Sequence, residues 1–394
     1  MRSRLSTYRH QARLARADRI LNIADARRRA RRVLPPVVFD YVDGGADDEH
    51  TMRNNEAAFA EMAFVPRMAL DIGVPQLGTT VLGTPLSMPV LLAPCGLVRV
   101  IHPDAGPGVA RAATRQGTVS VLSTVAGSPL EDVTAASSGP LWFQLYSSGG
   151  RGEAEALVDR ARAGAVRALV VTVDTPVLGN RERDVRHGVR PPLRVSGHNA
   201  IHLGPQVLSR PAWTVRLARD GLKMARAPRG TETVATATAM AASPFHWDDV
   251  EWLRTIWPAP LVVKGILTAD DARRAVQAGA DAVIVSNHGG RQLDGAPAAL
   301  RALPDVAAAV GTDAEVLMDG GVRRGGDVVK ALASGARAVL IGRPYLYGLA
   351  VAGEPGVERV LEVLRTEMVR TLALMGCASV EDLGPDWVQP ARFP

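Results

Sequence analysis

The segment Ser286–Asp294, SNHGGRQLD, sets a histidine, two glycines, an arginine and an aspartate close together. An imidazole titrates near neutrality, so His288 can take a proton at physiological pH. Arg291, three residues on, is a permanent cation whose forked donors match a carboxylate. Gly289 and Gly290 open backbone space between them. A base beside a fixed cation suits proton abstraction from an anionic substrate. A lone histidine is more often structural than catalytic, so the reading rests on its company. Asp174, in VTVDTP, can orient the imidazole and stabilise imidazolium, although an aspartate after a strand also serves as an ordinary cap. Arg181, in VLGNRERD, offers a second carboxylate contact, with Arg183 and Arg186 as close competitors. Tyr146, beside Gln144, can hydrogen-bond a substrate.

A second set of residues suits a phosphate. MDGGVRRGGD (318–327) and IGRP (341–344) are glycine-rich segments, each with an arginine, Arg323 and Arg343. Glycines let backbone N–H groups approach phosphate oxygens, and a following helix N-terminus adds a favourable dipole. Asp319, one step deeper, suits a sugar or ribityl hydroxyl. Lys264, in VVKGI, is costly inside a binding site unless it faces negative charge. Electrostatic stabilisation of an enolate or a flavin is one use for it, a Schiff base another, and snorkelling to solvent the bland one.

Eight Val/Ile/Leu-rich runs must position these residues: 87–94, 118–124, 141–146, 167–174, 261–266, 282–288, 315–321 and 338–344. Nearly continuous apolar runs read as strands buried on both faces. Ala-rich amphipathic segments separate them, one of them capped by Thr268 or Asp270. Eight strand–helix units predict a parallel sheet closed into a (β/α)8 barrel. An open doubly wound sheet is the competitor, but no glycine fingerprint follows the first strand. The chemically useful residues (Pro94, Ser123, Gln144, Tyr146, Asp174, Lys264, His288, Asp319 and Arg343) all close strands, and so fall on the catalytic face of a barrel.

The chain of 394 residues is 47% apolar but only 4% aromatic, so the core is aliphatic. We read 19–385 as one barrel domain, 1–18 as a basic extension without assigned role and 386–394 as a C-terminal tail. Residues 19–60 look helical, interrupted by the turn DGGADD, and Gly356–Met375 reads as a closing helix. Between strands four and five, 175–260 is a long loop or lid. Within it 190–206 reads as irregular, and 210–230 as a short basic amphipathic helix. Trp213, Leu217, Leu222 and Met224 would let that helix dock on a membrane, and 206–229 is the contact segment in that reading; a free lid is the alternative. Net charge is +6, consistent with a solvated surface, an anionic ligand or an anionic membrane. Nucleic acid is disfavoured because no binding module or stacking aromatics accompany the charge. Two cysteines, Cys95 and Cys377, provide neither a disulfide framework nor zinc spacing, so no metal is expected. Without a membrane span or secretory signal, the expected location is cytoplasmic, free or at the inner membrane face.

Together FDYVDGGADDE, LLAPCG, TVDTPVLGNRERD, VVKG, SNHGGRQLD, MDGGVRRGGDVVKAL and IGRP resemble the FMN-dependent 2-hydroxy acid oxidase/dehydrogenase family, over residues 20 to 385. That resemblance implies oxidation of a 2-hydroxy acid on FMN in a TIM barrel, commonly in a homotetramer. It implies a flavin ring against Pro94, Cys95 and Gly96, with Ser123, Gln144, Thr172, Lys264 and Ser286 near its polar edge. Asp319, Gly321, Arg323, Gly342 and Arg343 would hold ribityl and phosphate. Tyr41, Arg181 and Arg291 would bind the substrate carboxylate, Tyr146 its hydroxyl, and His288 with Asp174 would form the base. Gly96, where many relatives carry alanine, and Val125, where glycolate oxidase carries tryptophan, leave room for a substrate larger than glycolate, lactate-like or bulkier (mandelate-like or peptide-derived). The acceptor is left open between oxygen, a quinone and a redox protein; no haem motif is present. A non-redox FMN barrel of the isopentenyl-diphosphate isomerase type would not need the carboxylate clamp, and a non-catalytic flavoprotein partner would not need the His288–Asp174 pair.

Overall fold

Strands that are apolar on both faces fold only where both faces are covered. In a computed structural model, which describes residues 2–146, 150–188, 197–224 and 245–391, eight such strands close on themselves. They are β1 (Val90–Leu92), β2 (Ser120–Ser123), β3 (Leu141–Leu145), β4 (Ala168–Thr172), β5 (Leu261–Ile266), β6 (Ala282–Val285), β7 (Glu315–Asp319) and β8 (Ala338–Ile341). Each pairs in parallel with the next, and β8 returns to β1. Alternate residues, including Leu91, Val121, Trp142, Val170, Val262, Ile284, Leu317 and Leu340, fill the barrel interior. Their neighbours pack outward against the helices. A hairpin, Thr79–Val81 with Thr84–Leu86, presses Val81 and Leu86 onto the interior cluster and plugs one end. The functional residues lie at the other end. Thr268 accepts the Asp271 N–H at 3.1 Å and caps the helix after β5.

The N-terminal segment is tied to the barrel by buried polar groups. Asp43, 2% exposed, closes the helix Pro36–Asp43. Its carboxylate accepts hydrogen bonds from Arg27 (Nη2, 2.8 Å), Arg183 (Nη1, 3.0 Å) and the Tyr347 hydroxyl (2.7 Å). Asn55, on the helix His50–Ala60, exchanges two amide hydrogen bonds of 2.8 Å with Asn287, just after β6. That helix has no side-chain cap of its own. Asp294 supplies one from the β6 loop, accepting the N–H groups of Thr51 (2.7 Å) and His50 (3.1 Å). Satisfying those orphan donors at a helix start is worth about 1 kcal/mol.

The extension before residue 18 is a helix, Arg2–Ala17, packed on the C-terminal helices Arg343–Ala352 and Glu354–Met375. At the other terminus, Val388–Pro390 pairs antiparallel with Met62–Phe64.

The segment between β4 and β5 departs from the expected loop. It contains helices Glu182–Arg186, Gly197–Leu208, Pro211–Met224 and Trp247–Ile256. The reading of 190–206 as irregular is thus corrected for 197–206, while 189–196 and 225–244 lie outside the described residues. Trp213 does not face outward as a docking residue would. It is 5% exposed, and its indole N–H donates to the Val100 carbonyl at 2.9 Å. Leu217 also packs against the core. A half-polar indole with a buried acceptor to reach is better satisfied inward than in a lipid surface. The side chains of Leu222 and Met224 lie outside the described set.

Burial raises the Asp43 carboxyl, but its bonds to Arg27, Tyr347 and Arg183 win and hold it down at about 2. A carboxyl depressed on folding contributes stability that is present above its unfolded value of 3.8 and is lost as pH falls toward 2. Urea titrations across that window should therefore show a steeper loss in the wild type than in Asp43→Asn. Equal slopes would contradict the assignment.

Candidate active site

A cavity of about 820 Å³ opens at the C-terminal end of the barrel, within the ~300–1,000 Å³ typical of cofactor and small-molecule sites. Tyr41, Pro94, Cys95, Gly96, Ser123, Tyr146, Arg181, Lys264, His288, Arg291, Asp319, Gly321, Arg323, Gly342 and Arg343 line it. Gln144, Thr172, Asp174 and Ser286 are not among the lining residues; all except Asp174 are strongly buried.

His288 follows β6 with φ of 59°, and Gly289 and Gly290 continue the left-handed path at 65° and 72°. This turn brings the His288 Nδ1 to 3.0 and 3.2 Å from the two Asp174 carboxylate oxygens. Its Nε2 is thereby left as the nitrogen free to receive a proton. Burial pushes the imidazole down, partly opposed by Asp174, so it stays a neutral base to lower pH than a free histidine. Burial would raise Asp174, but His288 and Lys264 outweigh it and keep it ionised.

Lys264, 3% exposed, donates to Ser286 Oγ at 2.9 Å and pairs with Asp319 at 3.2 Å. Burial pulls its ammonium down, yet Asp319 and Asp174 push it up further, so the charge persists. Ser286 Oγ also accepts the His288 N–H at 3.0 Å, which fastens the lysine to the histidine loop.

The three neighbouring arginines separate cleanly. Arg181 enters the cavity with a buried Nε that has no hydrogen-bond partner. Burial, with Arg291 repelling it, pulls its guanidinium down. Arg183 turns away to Asp43 and to Glu49, and Arg186 pairs on the surface with Glu182. Arg291 lines the cavity with Nη1 fixed by the carbonyls of Tyr41 (2.7 Å) and Gly44 (3.0 Å), and its guanidinium lies 5.0 Å from the Tyr41 ring centroid. Burial raises the hydroxyls of Tyr41 and Tyr146, so both remain donors at neutral pH.

Several buried polar atoms await partners: Gln144 Nε2, Thr172 Oγ1 and Asp319 Oδ1. Leaving such atoms unpaired costs about 1–3 kcal/mol each, so they mark where a ligand's polar groups belong. Arg343 differs. Its three nitrogens already donate to the carbonyls of Asp43 (3.2 Å), Gly289 (2.8 Å) and Gly44 (2.7 Å). Burial lowers it to about 10. Arg323 lines the cavity with Nη2 at 2.9 Å from Glu56. Sequence reasoning missed Asp184, which lines the mouth and is held up by burial. Its spacing of one helical turn after Arg181 was the available signal.

A family model described as FMN-dependent dehydrogenase matches residues 30–390. L-lactate oxidase of Nostoc sp. is 45% identical over 92% of this chain and 96% of its own length. L-lactate dehydrogenase of Allorhizobium ampelinum is 42% identical over 93% and 98%. The solved structure of the monotopic membrane protein (S)-mandelate dehydrogenase matches 94% of this chain and all of its own, with a TM-score of 0.86 and 38% identity.

FMN fits the residues present. The unpaired Asp319 Oδ1 and the buried Lys264 charge line the cavity and suit its ribityl hydroxyls and polar edge. The unpaired Gln144 Nε2 and Thr172 Oγ1 lie on residues directly behind that lining, Gln144 bonded to Ser123 at 2.6 Å and Thr172 paired with Lys264 across the β4–β5 ladder. Replacing His288 with asparagine should lower the rate of 2-hydroxy acid oxidation by about 10²–10⁴-fold while FMN content stays unchanged. Anaerobic bleaching of the bound flavin is the assay, and wild-type bleaching by the variant would refute the base.

Proposed function

This chain belongs to the FMN-dependent dehydrogenase family, as a 2-hydroxy acid oxidase or dehydrogenase, and from that premise we propose that it takes an (S)-2-hydroxy acid bulkier than glycolate. The observation that carries the reading is the pair of small residues, Gly96 and Val125, on the cavity wall. A methyl group on Gly96 would stand 3.1 Å from the Tyr41 hydroxyl and 3.2 Å from a Val125 methyl. That corner is already close-packed, and glycine keeps a further methyl out of it, so positions 96 and 125 put no bulky side chain on the cavity wall beside Tyr41. Lactate-like, mandelate-like and peptide-derived hydroxy acids all fit that description.

In the mechanism we propose, Arg181, Arg291 and Tyr41 hold the carboxylate and fix the hydroxyl-bearing carbon. Tyr146 donates to, or accepts from, the substrate hydroxyl. His288 Nε2 takes a proton from the α-carbon or from the hydroxyl, and Asp174 holds the imidazole and steadies its positive charge. FMN, when bound, supplies the acceptor for the two electrons that leave the substrate. The cationic Lys264 faces the same space and favours negative charge there. Asp319, Gly321, Gly342 and Arg323 hold the ribityl phosphate in this reading, with Arg343 fixing the surrounding backbone. The carboxylate clamp and the completed His288–Asp174 pair favour this chemistry over a non-redox FMN isomerase or a silent flavoprotein.

The electrons pass on to oxygen, a quinone or a redox protein. Among the described residues no helix is long and apolar enough to cross a membrane. A peripheral contact through 206–229 would use outward residues such as Leu208 and Val215, which are 75% and 47% exposed, rather than Trp213.

Anaerobic mixing with a panel of 2-hydroxy acids tests the substrate class. Lactate or a larger acid should bleach the flavin faster than glycolate, and admitting air then separates oxidase from dehydrogenase. Gly96→Ala should lower kcat/KM for the bulkier acids by roughly 10-fold or more, as one added methyl does in a close-fitting site, and spare glycolate. Equal effects on small and large acids would overturn the size argument.

A further inference from the structure

The loop after β1 is gripped from two sides. From the N-terminal helix, Arg13 donates to Asp104 at 2.8 Å. From the insertion helix Pro211–Met224, Asp220 takes two hydrogen bonds from Arg99 (2.6 and 2.9 Å), beside the Trp213 bond to Val100. Arg216, on the same helix, is repelled by both Arg13 and Arg16, so three guanidinium groups from two helices share one neighbourhood.

Three of the four carboxylate oxygens there are already taken, and the fourth, Asp104 Oδ1, lies 3.6 Å from His102 Nδ1. The Asp104 oxygen that binds Arg13 also accepts the Glu354 N–H at 3.1 Å, and both Asp220 oxygens bind Arg99. Arg216 Nε is buried and has no partner. His102 is 1% exposed and senses Asp104, Arg216, Arg13 and Asp220. Its Nδ1 accepts the Asp104 N–H at 3.1 Å, which puts the ring proton on Nε2, and that Nε2 is likewise buried without a partner. Two unsatisfied donors inside a cluster of surplus positive charge demand an acceptor that carries negative charge.

We propose that Arg13, Arg16, Arg216 and His102 form a binding site for a phosphate-type oxyanion, which joins the N-terminal helix to the insertion helix. Free phosphate and the phosphate of an anionic lipid headgroup share this chemistry. The site lies outside the FMN and substrate cavity and uses none of its residues. Its proposal therefore stands apart from the substrate assignment.

The test uses the FMN-loaded full chain, so that the cofactor's own phosphate cradle is filled. Binding of inorganic phosphate is measured by calorimetry, and binding to phosphatidylglycerol vesicles by sedimentation. The double variant Arg16→Gln/Arg216→Gln is compared with Arg219→Gln, which removes an exposed charge from the same helix. Turnover and melting temperature confirm that each variant is folded. Saturable phosphate binding that weakens about tenfold or more only in the double variant supports the site with free phosphate as ligand. Vesicle binding lost only in the double variant, without phosphate binding, supports it with a lipid headgroup as ligand. Failure of the wild type to bind either probe overturns the proposal. So does an equal loss in Arg219→Gln, which would mean diffuse charge attraction.

Discussion

Three consecutive residues, His288, Gly289 and Gly290, run through the left-handed backbone region. For a histidine that conformation costs roughly 1–2 kcal/mol, and its surroundings hold it there. The carbonyl of Gly290 accepts the Ala46 N–H at 2.8 Å, and that of Gly289 accepts Arg343. Side chains at the two glycines would collide with the start of the helix His50–Ala60 and with Arg343 itself: a Cβ on Gly290 would lie 2.5 Å from the Met52 nitrogen. The turn thus does two things at once. It swings the imidazole onto Asp174, and it docks the N-terminal segment that carries Tyr41 and Gly44 against the mouth.

From that turn the rest of the site follows. Arg291, just beyond it, is held by carbonyls of the docked segment and so presents a fixed face to the cavity. Asn287, just before it, locks to Asn55. Asp43, between Tyr41 and Gly44, anchors the docked segment through Arg27, Arg183 and Tyr347. Arginine is used here mainly as a brace for backbone and carboxylates, while Arg181 lines the cavity with a buried Nε that has no hydrogen-bond partner. Fixed, water-poor surroundings make each remaining charge more effective than it would be in solvent.

Much of this was legible in the sequence because it is periodic or short-range. All eight apolar runs contain the barrel strands, and strand-end residues fall on one face by geometry alone. The partners across the chain were not legible. Nothing local says that Asn287 meets Asn55, 232 residues away, or that Asp294 caps a helix near residue 50. The insertion was misread for a related reason. GHNAIHLGPQVL contains glycine and proline, which weaken helix propensity, yet the helix forms where Gln206 can accept the Val37 N–H at 2.9 Å. Trp213 resembled a membrane anchor because an amphipathic pattern states that one face is apolar, not what covers it.

The account depends most on Asp174 acting through His288, and the pH dependence of flavin reduction in Asp174→Asn addresses that directly. Asp174 supports the protonated imidazole, so its neutral isostere should let His288 shed its proton at lower pH. The acid limb of the reduction rate should then move to lower pH while the plateau falls well below wild type. An unchanged limb and an unchanged plateau would contradict the account.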